Sequence, residues 1–163
     1  MTESRIPLNP FPGIRNYEIE EDYLFFGRDQ VIQELVSLMT TTHFVALTGA
    51  SGCGKSSLIK AGLIPALMKQ TGNNMDKKWE YAIFRPGDDP IGQMAEAFYM
   101  MIRKVTGDQC PYKEPQEMDQ VLRSDREGIL RLFEKIPSPF ENRNLLLIID
   151  QFEELFRFKG SVS

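Results

Sequence analysis

The nine residues Gly-Ala-Ser-Gly-Cys-Gly-Lys-Ser-Ser at positions 49–57 constrain this chain more than any other stretch. They match G-x-x-x-x-G-K-[ST] in full. They follow an apolar run, His43-Phe-Val-Ala-Leu-Thr48, and lead into a segment with helical spacing. A strand, a glycine-rich turn and a helix start are what a phosphate-cradling loop needs. Gly49, Gly52 and Gly54 let the backbone wrap closely around phosphate oxygens. The amides from about Ala50 to Ser56 are expected to point inward, where the helix N-terminus adds its dipole. Lys55 is expected to reach the β- and γ-phosphates, Ser56 to ligate Mg2+, and Ser57 to touch the α-phosphate. A purely structural glycine turn has no need of a lysine followed by serine.

Such a loop needs an acidic partner to do chemistry. Leu145 to Ile149 is an unbroken aliphatic run ended by Asp150. A run of this kind reads as a strand covered on both faces. A carboxylate at its tip is expected to hold Mg2+, usually through water. Glu153 and Glu154 follow within one helical turn in DQFEELF. One of them is the candidate to orient or deprotonate an attacking water, and spacing does not choose between them. The plainer reading makes both of them solvated helix-start glutamates favoured by the dipole.

The rest of the chain frames these motifs. Residues 1–23 are Pro-rich and then acidic, and read as an extended arm without regular structure that packs on something through its aromatic residues. Residues 24–163 read as one domain. A helix is expected after Gly27, with Val31, Leu35, Leu38 and Met39 on one face and Ile32 beside them. His43 to Thr48 reads as a buried strand. The helix after the glycine loop should kink or restart at Pro65. Trp79 to Arg85 alternates like a second strand. Asp89-Pro90 is a helix start, and Ile91, Met94, Ala95, Phe98, Met101, Ile102 and Val105 give that helix its apolar face. A short helix is expected from Pro115 to Leu122. Ser124-Asp-Arg-Glu127 has the form of a capping box for a helix with Ile129, Leu132, Phe133 and Ile136 inward. GDQCPYKEP and PSPFENRN read as loops. Strand, helix, strand, helices, strand means α/β with a parallel sheet.

Composition removes several function classes. The 163 residues carry 26% charged and 42% hydrophobic side chains, within the globular range. A net charge of −4 does not indicate a nucleic-acid surface. Cys53 and Cys110 lack metal-site spacing and His43 is the one histidine, so neither a disulfide framework nor a zinc site is expected. That usage fits a reducing, cytoplasmic setting. MTESRIPLNPFPG has no secretory pattern, and no apolar run reaches the roughly 20 residues that a membrane helix needs.

Four segments together resemble the novel STAND NTPases, a branch of the signal-transducing P-loop ATPases: NPFPGIRNYEIEEDYLFFGRD, GASGCGKSSLIKAGLIPAL, FRPGDDP and LLLIIDQFEELF. The resemblance implies a P-loop NTPase domain with three layers around a parallel sheet, and ATP with Mg2+ as cofactors. It implies that Phe26, Gly27 and Arg28 lie near the adenine or the phosphates. Asp150 with Glu153 and Glu154 is similar to the acidic arrangement of NACHT ATPases. Asp88 and Asp89 are read as helix caps. Arg85, Arg143 and Arg157 stand in no context that would single out an arginine finger. In related ATPases a later strand lies between the loop strand and the Mg-binding strand, so the chain is expected to be the N-terminal part of its module, incomplete at the C-terminus. Exposed apolar sheet edges, with aggregation or dimerisation, are expected of such a part.

Three functions compete on this reading. The first is an ATP-dependent signalling switch that hydrolyses ATP in the complete module and assembles as a homo-oligomer when active. The second is a non-catalytic nucleotide-binding or interaction fragment. The third is a P-loop small-molecule kinase, which would need a substrate site and an arginine-bearing lid. Spacing alone leaves ATP and GTP both open.

Overall fold

Packing divides the chain into two units, Met1–Asn74 and Met75–Ser163. The computed structural model describes Gly13 and residues 15–70, 78–136 and 143–157. The expectations for residues 1–12 and Ile14 of the arm, and for the first six residues of PSPFENRN, lie outside the described residues.

In the first unit the arm is not without regular structure. Ile19–Leu24 forms a 3-10 helix. The cause is local: the Glu21 carboxylate reaches back to the Glu18 N–H at 2.9 Å, half of a capping box. The arm does pack on something. Glu18 pairs with Lys60 at 3.0 Å and Asp22 with Lys69 at 2.6 Å. The Tyr17 and Phe25 rings meet edge-on at 5.6 Å.

Helix α1 spans Asp29–Thr41, as the apolar spacing predicts. Leu35 and Val36 are its buried residues, whereas Leu38, placed on the inner face by sequence, is 44% exposed. After the glycine loop come α2 (Lys55–Ser57), a π-helical turn (Leu58–Leu63) and α3 (Ile64–Gln70). Pro65 therefore does not end the helix. In an α-helix its ring would strike the carbonyl four residues back. The wider π turn ahead of it relieves this, and the Ile64 N–H bonds the Ile59 carbonyl, five residues back. Leu58, Ala61, Leu63, Ile64 and Leu67 from this helical run complete the unit's core.

The expected buried strand at His43–Thr48 is absent. Residues 44–50 have no regular hydrogen-bonding pattern, and Phe44 is 80% exposed. An apolar, β-branched run becomes a strand only when its N–H and C=O groups find a ladder partner. Among the described residues the one ladder joins two other segments.

Those segments belong to the second unit. Strand β1 (Lys78–Phe84) lies parallel to β2 (Arg143–Ile149), in register from Lys78 beside Arg143 to Phe84 beside Ile149. The crossover runs through α4 (Pro90–Thr106), α5 (Pro115–Ser124) and α6 (Gly128–Glu134). Asp89 caps α4 by accepting the Gly92 N–H at 3.2 Å, and Pro90 begins it. Ala95, Phe98, Met101 and Ile102 of α4 form the core with Ala82, Met118, Leu122 and Leu132.

Two local expectations fail in this unit. Ser124 ends α5 and donates to the Val121 carbonyl at 2.7 Å, so it caps nothing. Asp125 takes over and accepts the Glu127 N–H at 2.8 Å. Ile129 accordingly falls outside the buried face of α6, at 43% exposed. Strand β2 is also not covered on both faces: Ile148 is its one buried residue and Leu145 is 38% exposed. Its aliphatic run suits a central strand, but β1 is its sole partner among the described residues.

Candidate functional site

The sequence-predicted residues fall into two groups, one in each unit. In the first unit, Gly52 and Gly54 adopt φ of 76° and 87°, left-handed conformations that a side chain would strain. These two reversals curl the loop over its own lysine. The Lys55 ammonium donates to the carbonyl oxygens of Gly49 at 2.8 Å and Ala50 at 2.9 Å. Gly49, Ala50, Ser51, Gly52 and Cys53 are exposed, while Gly54, Lys55 and Ser56 are half-buried. Ser57 is buried, and its hydroxyl oxygen accepts the Tyr17 N–H at 3.2 Å. The arm thus touches the helix one residue beyond the lysine–serine pair, a contact that no spacing argument anticipates.

Phe26, Gly27 and Arg28 form the turn into α1. Phe26 is 78% exposed. Gly27 has φ of 78°, and the Arg28 carbonyl accepts the first helical bond, from Ile32, at 2.9 Å.

In the second unit the register sets the neighbourhood. Phe84 and Ile149 are partners, so Arg85 and Asp150 leave their strands side by side. The Asp150 N–H donates to the Phe84 carbonyl at 2.9 Å. The Arg85 guanidinium donates to Asp150 Oδ2 from Nε and from Nη2, both at 3.2 Å. Gln151 then takes φ of 59°, which non-glycine residues seldom adopt. This reversal starts the turn into α7 (Glu154–Arg157), and the Glu154 carboxylate accepts the Gly87 N–H at 3.0 Å. Glu153 is exposed, and its carboxylate makes no hydrogen bond or ion pair to the described residues.

Sequence reasoning missed the role of Arg85, which it could not rank among three arginines. Arg143 pairs with Glu80 across the two strands, and the side chain of Arg157 lies outside the described residues. The available signal was positional: FRPG and IIDQ are both strand ends, and parallel pairing of those ends brings Arg85 to Asp150.

The family model described as Novel STAND NTPase 1 matches residues 10–162 of the chain. The chain therefore belongs to the Novel STAND NTPase 1 family. The match joins both units in one family pattern, so the glycine loop and the β2 tip are parts of a STAND NTPase module. No curated protein and no solved structure matches the chain at a significant level. Among the described residues, no helix is long and apolar enough to cross a membrane.

Proposed function

We propose that the chain is the Mg-ATP-binding part of a STAND-type signalling switch, built on a three-layer P-loop fold in which residues 24–163 form one NTPase domain behind the arm 1–23. The observation that carries this reading is the glycine loop. Two left-handed glycines bend residues 49–54 around the Lys55 ammonium, which already sits in the mouth of the loop against two oxygens. Phosphate oxygens are the ligands for which a glycine-rich turn carrying a lysine at a helix start is suited.

Ser56 and Asp150, taken each in its own unit, offer hard oxygens of the kind magnesium takes, and Mg2+ held by nucleotide phosphates would need only one or two protein side chains, with water filling the rest. Asp150 already carries a cation, the Arg85 guanidinium. Ser56 and Asp150 would hold the metal, which when bound would offset the charge that develops on the phosphates during transfer. Lys55 would hold the phosphates. Gly49, Ala50, Ser51, Gly52, Cys53, Gly54 and Ser57 would supply backbone and hydroxyl contacts, with Phe26, Gly27 and Arg28 at the base or phosphates. Glu153 is favoured over Glu154 as the group that activates water, because Glu154 is engaged by Gly87. Hydrolysis, homo-oligomerisation and a cytoplasmic location are proposed for the complete protein.

The test is a melting curve with and without Mg-ATP, beside Lys55→Ala. Nucleotide at about a hundred times its Kd adds roughly 2.7 kcal/mol to stability, which is on the order of 5–10 °C for a chain of this size. The wild type should shift and Lys55→Ala should not, at an unchanged ligand-free melting temperature. Equal shifts in both would remove Lys55 from the site. No shift in either would leave the chain an interaction fragment.

A further inference from the structure

The ends of β1 and β2 carry a clamp with one fixed half and one loose half. The fixed half is one backbone–backbone bond and one bond from a backbone N–H to a side chain. Phe84 accepts the Asp150 N–H at 2.9 Å, and the Gly87 N–H is held by Glu154 at 3.0 Å. The loose half is the Arg85 side chain between these two bridges. The Asp150 side chain is only 15% exposed, whereas that of Arg85 is 53% exposed. Both Arg85 bonds measure 3.2 Å, longer than the roughly 2.7–2.9 Å of a strong charge-assisted bond. A largely covered carboxylate needs a cation close by. Arg85 supplies one, but in an open and weakly bonded form that a stronger cation can displace.

We propose that Arg85 is the resident counter-cation of Asp150 and competes with Mg2+ for its carboxylate. The inference rests on the reading of Asp150 as the magnesium-supporting residue. Two cations at one carboxylate oxygen repel each other, so Arg85 must swing toward solvent when the metal arrives. The Asp150–Phe84 backbone bond and the Gly87–Glu154 bond keep Asp150 in place while it does so. Arg85 thereby raises the Mg2+ concentration needed to load Asp150, and its guanidinium is released as the metal binds. In this role it is a positioning residue, acting on nucleotide through Asp150.

The experiment follows the ATP-induced rise in melting temperature of the full chain while free Mg2+ is titrated at constant ATP. Wild type is compared with Arg85→Ala, Arg85→Gln and Arg85→Lys. Removing the competing charge in the Ala and Gln variants should lower the half-saturating Mg2+ about two- to five-fold, the range expected of an exposed ion pair. The Lys variant should stay near wild type, and the shift from ATP in EDTA should be the same in all four. An unchanged or higher midpoint in the Ala and Gln variants overturns the proposal. So does weaker binding of ATP in EDTA, which would make Arg85 a phosphate ligand, and so does loss of cooperative melting in both variants, which would make it a folding residue. Asp150→Asn separates the two layers of the argument. If its Mg2+ dependence equals that of wild type, the reading of Asp150 itself fails. If it loses that dependence while Arg85→Ala and Arg85→Gln keep the wild-type midpoint, competition alone fails.

Discussion

Gly128 shows how much a single residue can decide. It opens α6, and a Cβ there would lie 2.6 Å from the Val121 carbonyl oxygen and 2.8 Å from both the Leu122 Cα and the Leu122 carbonyl oxygen. These are backbone atoms and cannot yield as a side-chain end can. Helix propensity alone says that alanine should stabilise this position. The close approach of α5 and α6 says the opposite, and it wins. Gly128→Ala should cost about 1–3 kcal/mol, the range for overpacking a tight contact, read as a lower urea midpoint at constant m-value. At the same scale, the Tyr112 hydroxyl ties the loop before α5 to α6 by donating to the Leu132 carbonyl at 3.0 Å.

At the scale of the element, helix ends are settled by short polar contacts that the sequence marks unevenly. The start of α4 is clearly marked. Asp89 accepts the Gly92 N–H, Pro90 needs no N–H partner, and the helix runs on to Thr106. Asp89 also binds the Arg123 guanidinium of α5, so the cap joins two helices. Its pKa is lowered, first by Arg123 and then by the Gly92 N–H. Asp89→Asn keeps an acceptor for the helix end and loses the charge; Asp89→Ala loses both. Alanine should therefore melt at the lower temperature of the two, and equal melting would mean that the cap contributes nothing. The start of α6 is the opposite case. Its apparent capping box fails because Ser124 already completes α5, and a four-residue motif does not reveal which of two adjoining helices owns its first residue.

For the whole molecule, the dependence of stability on pH combines contributions from both units. In the first, Arg15 holds the Glu21 carboxyl down at about 2 from a usual value of 4.5, chiefly through its hydrogen bonds. A depressed carboxylate adds stability above its unfolded pKa and loses it as pH falls toward the folded value. In the second, burial pushes the Tyr112 phenol above its usual 10.0, and the charges of Cys110 and Glu117 add to this. A raised tyrosine keeps its contribution below the unfolded pKa and loses it as pH rises through the folded one. Melting temperature should thus decline below about pH 4.5 and above about pH 10. Glu21→Gln should make the acid limb shallower and Tyr112→Phe the alkaline limb. An acid limb as steep in Glu21→Gln as in wild type would show that the Arg15 pair is broken by solvent.

Much of this protein is written locally. Strand β1, the starts of α1, α4 and α5, the apolar face of α4 and the glycine loop all follow from neighbours within a few residues, and such features survive without knowledge of the rest. The family could be read because its motifs are short runs in a set order. What tertiary structure alone decided was pairing. Only the parallel register of β1 and β2 brings Arg85 to Asp150, and only the turn at Gln151 separates Glu154, bonded to Gly87, from exposed Glu153. The same physics withheld a strand from His43–Thr48. A helix completes its hydrogen bonds within itself, whereas a strand completes them with a partner drawn from anywhere in the chain, and no local pattern names that partner.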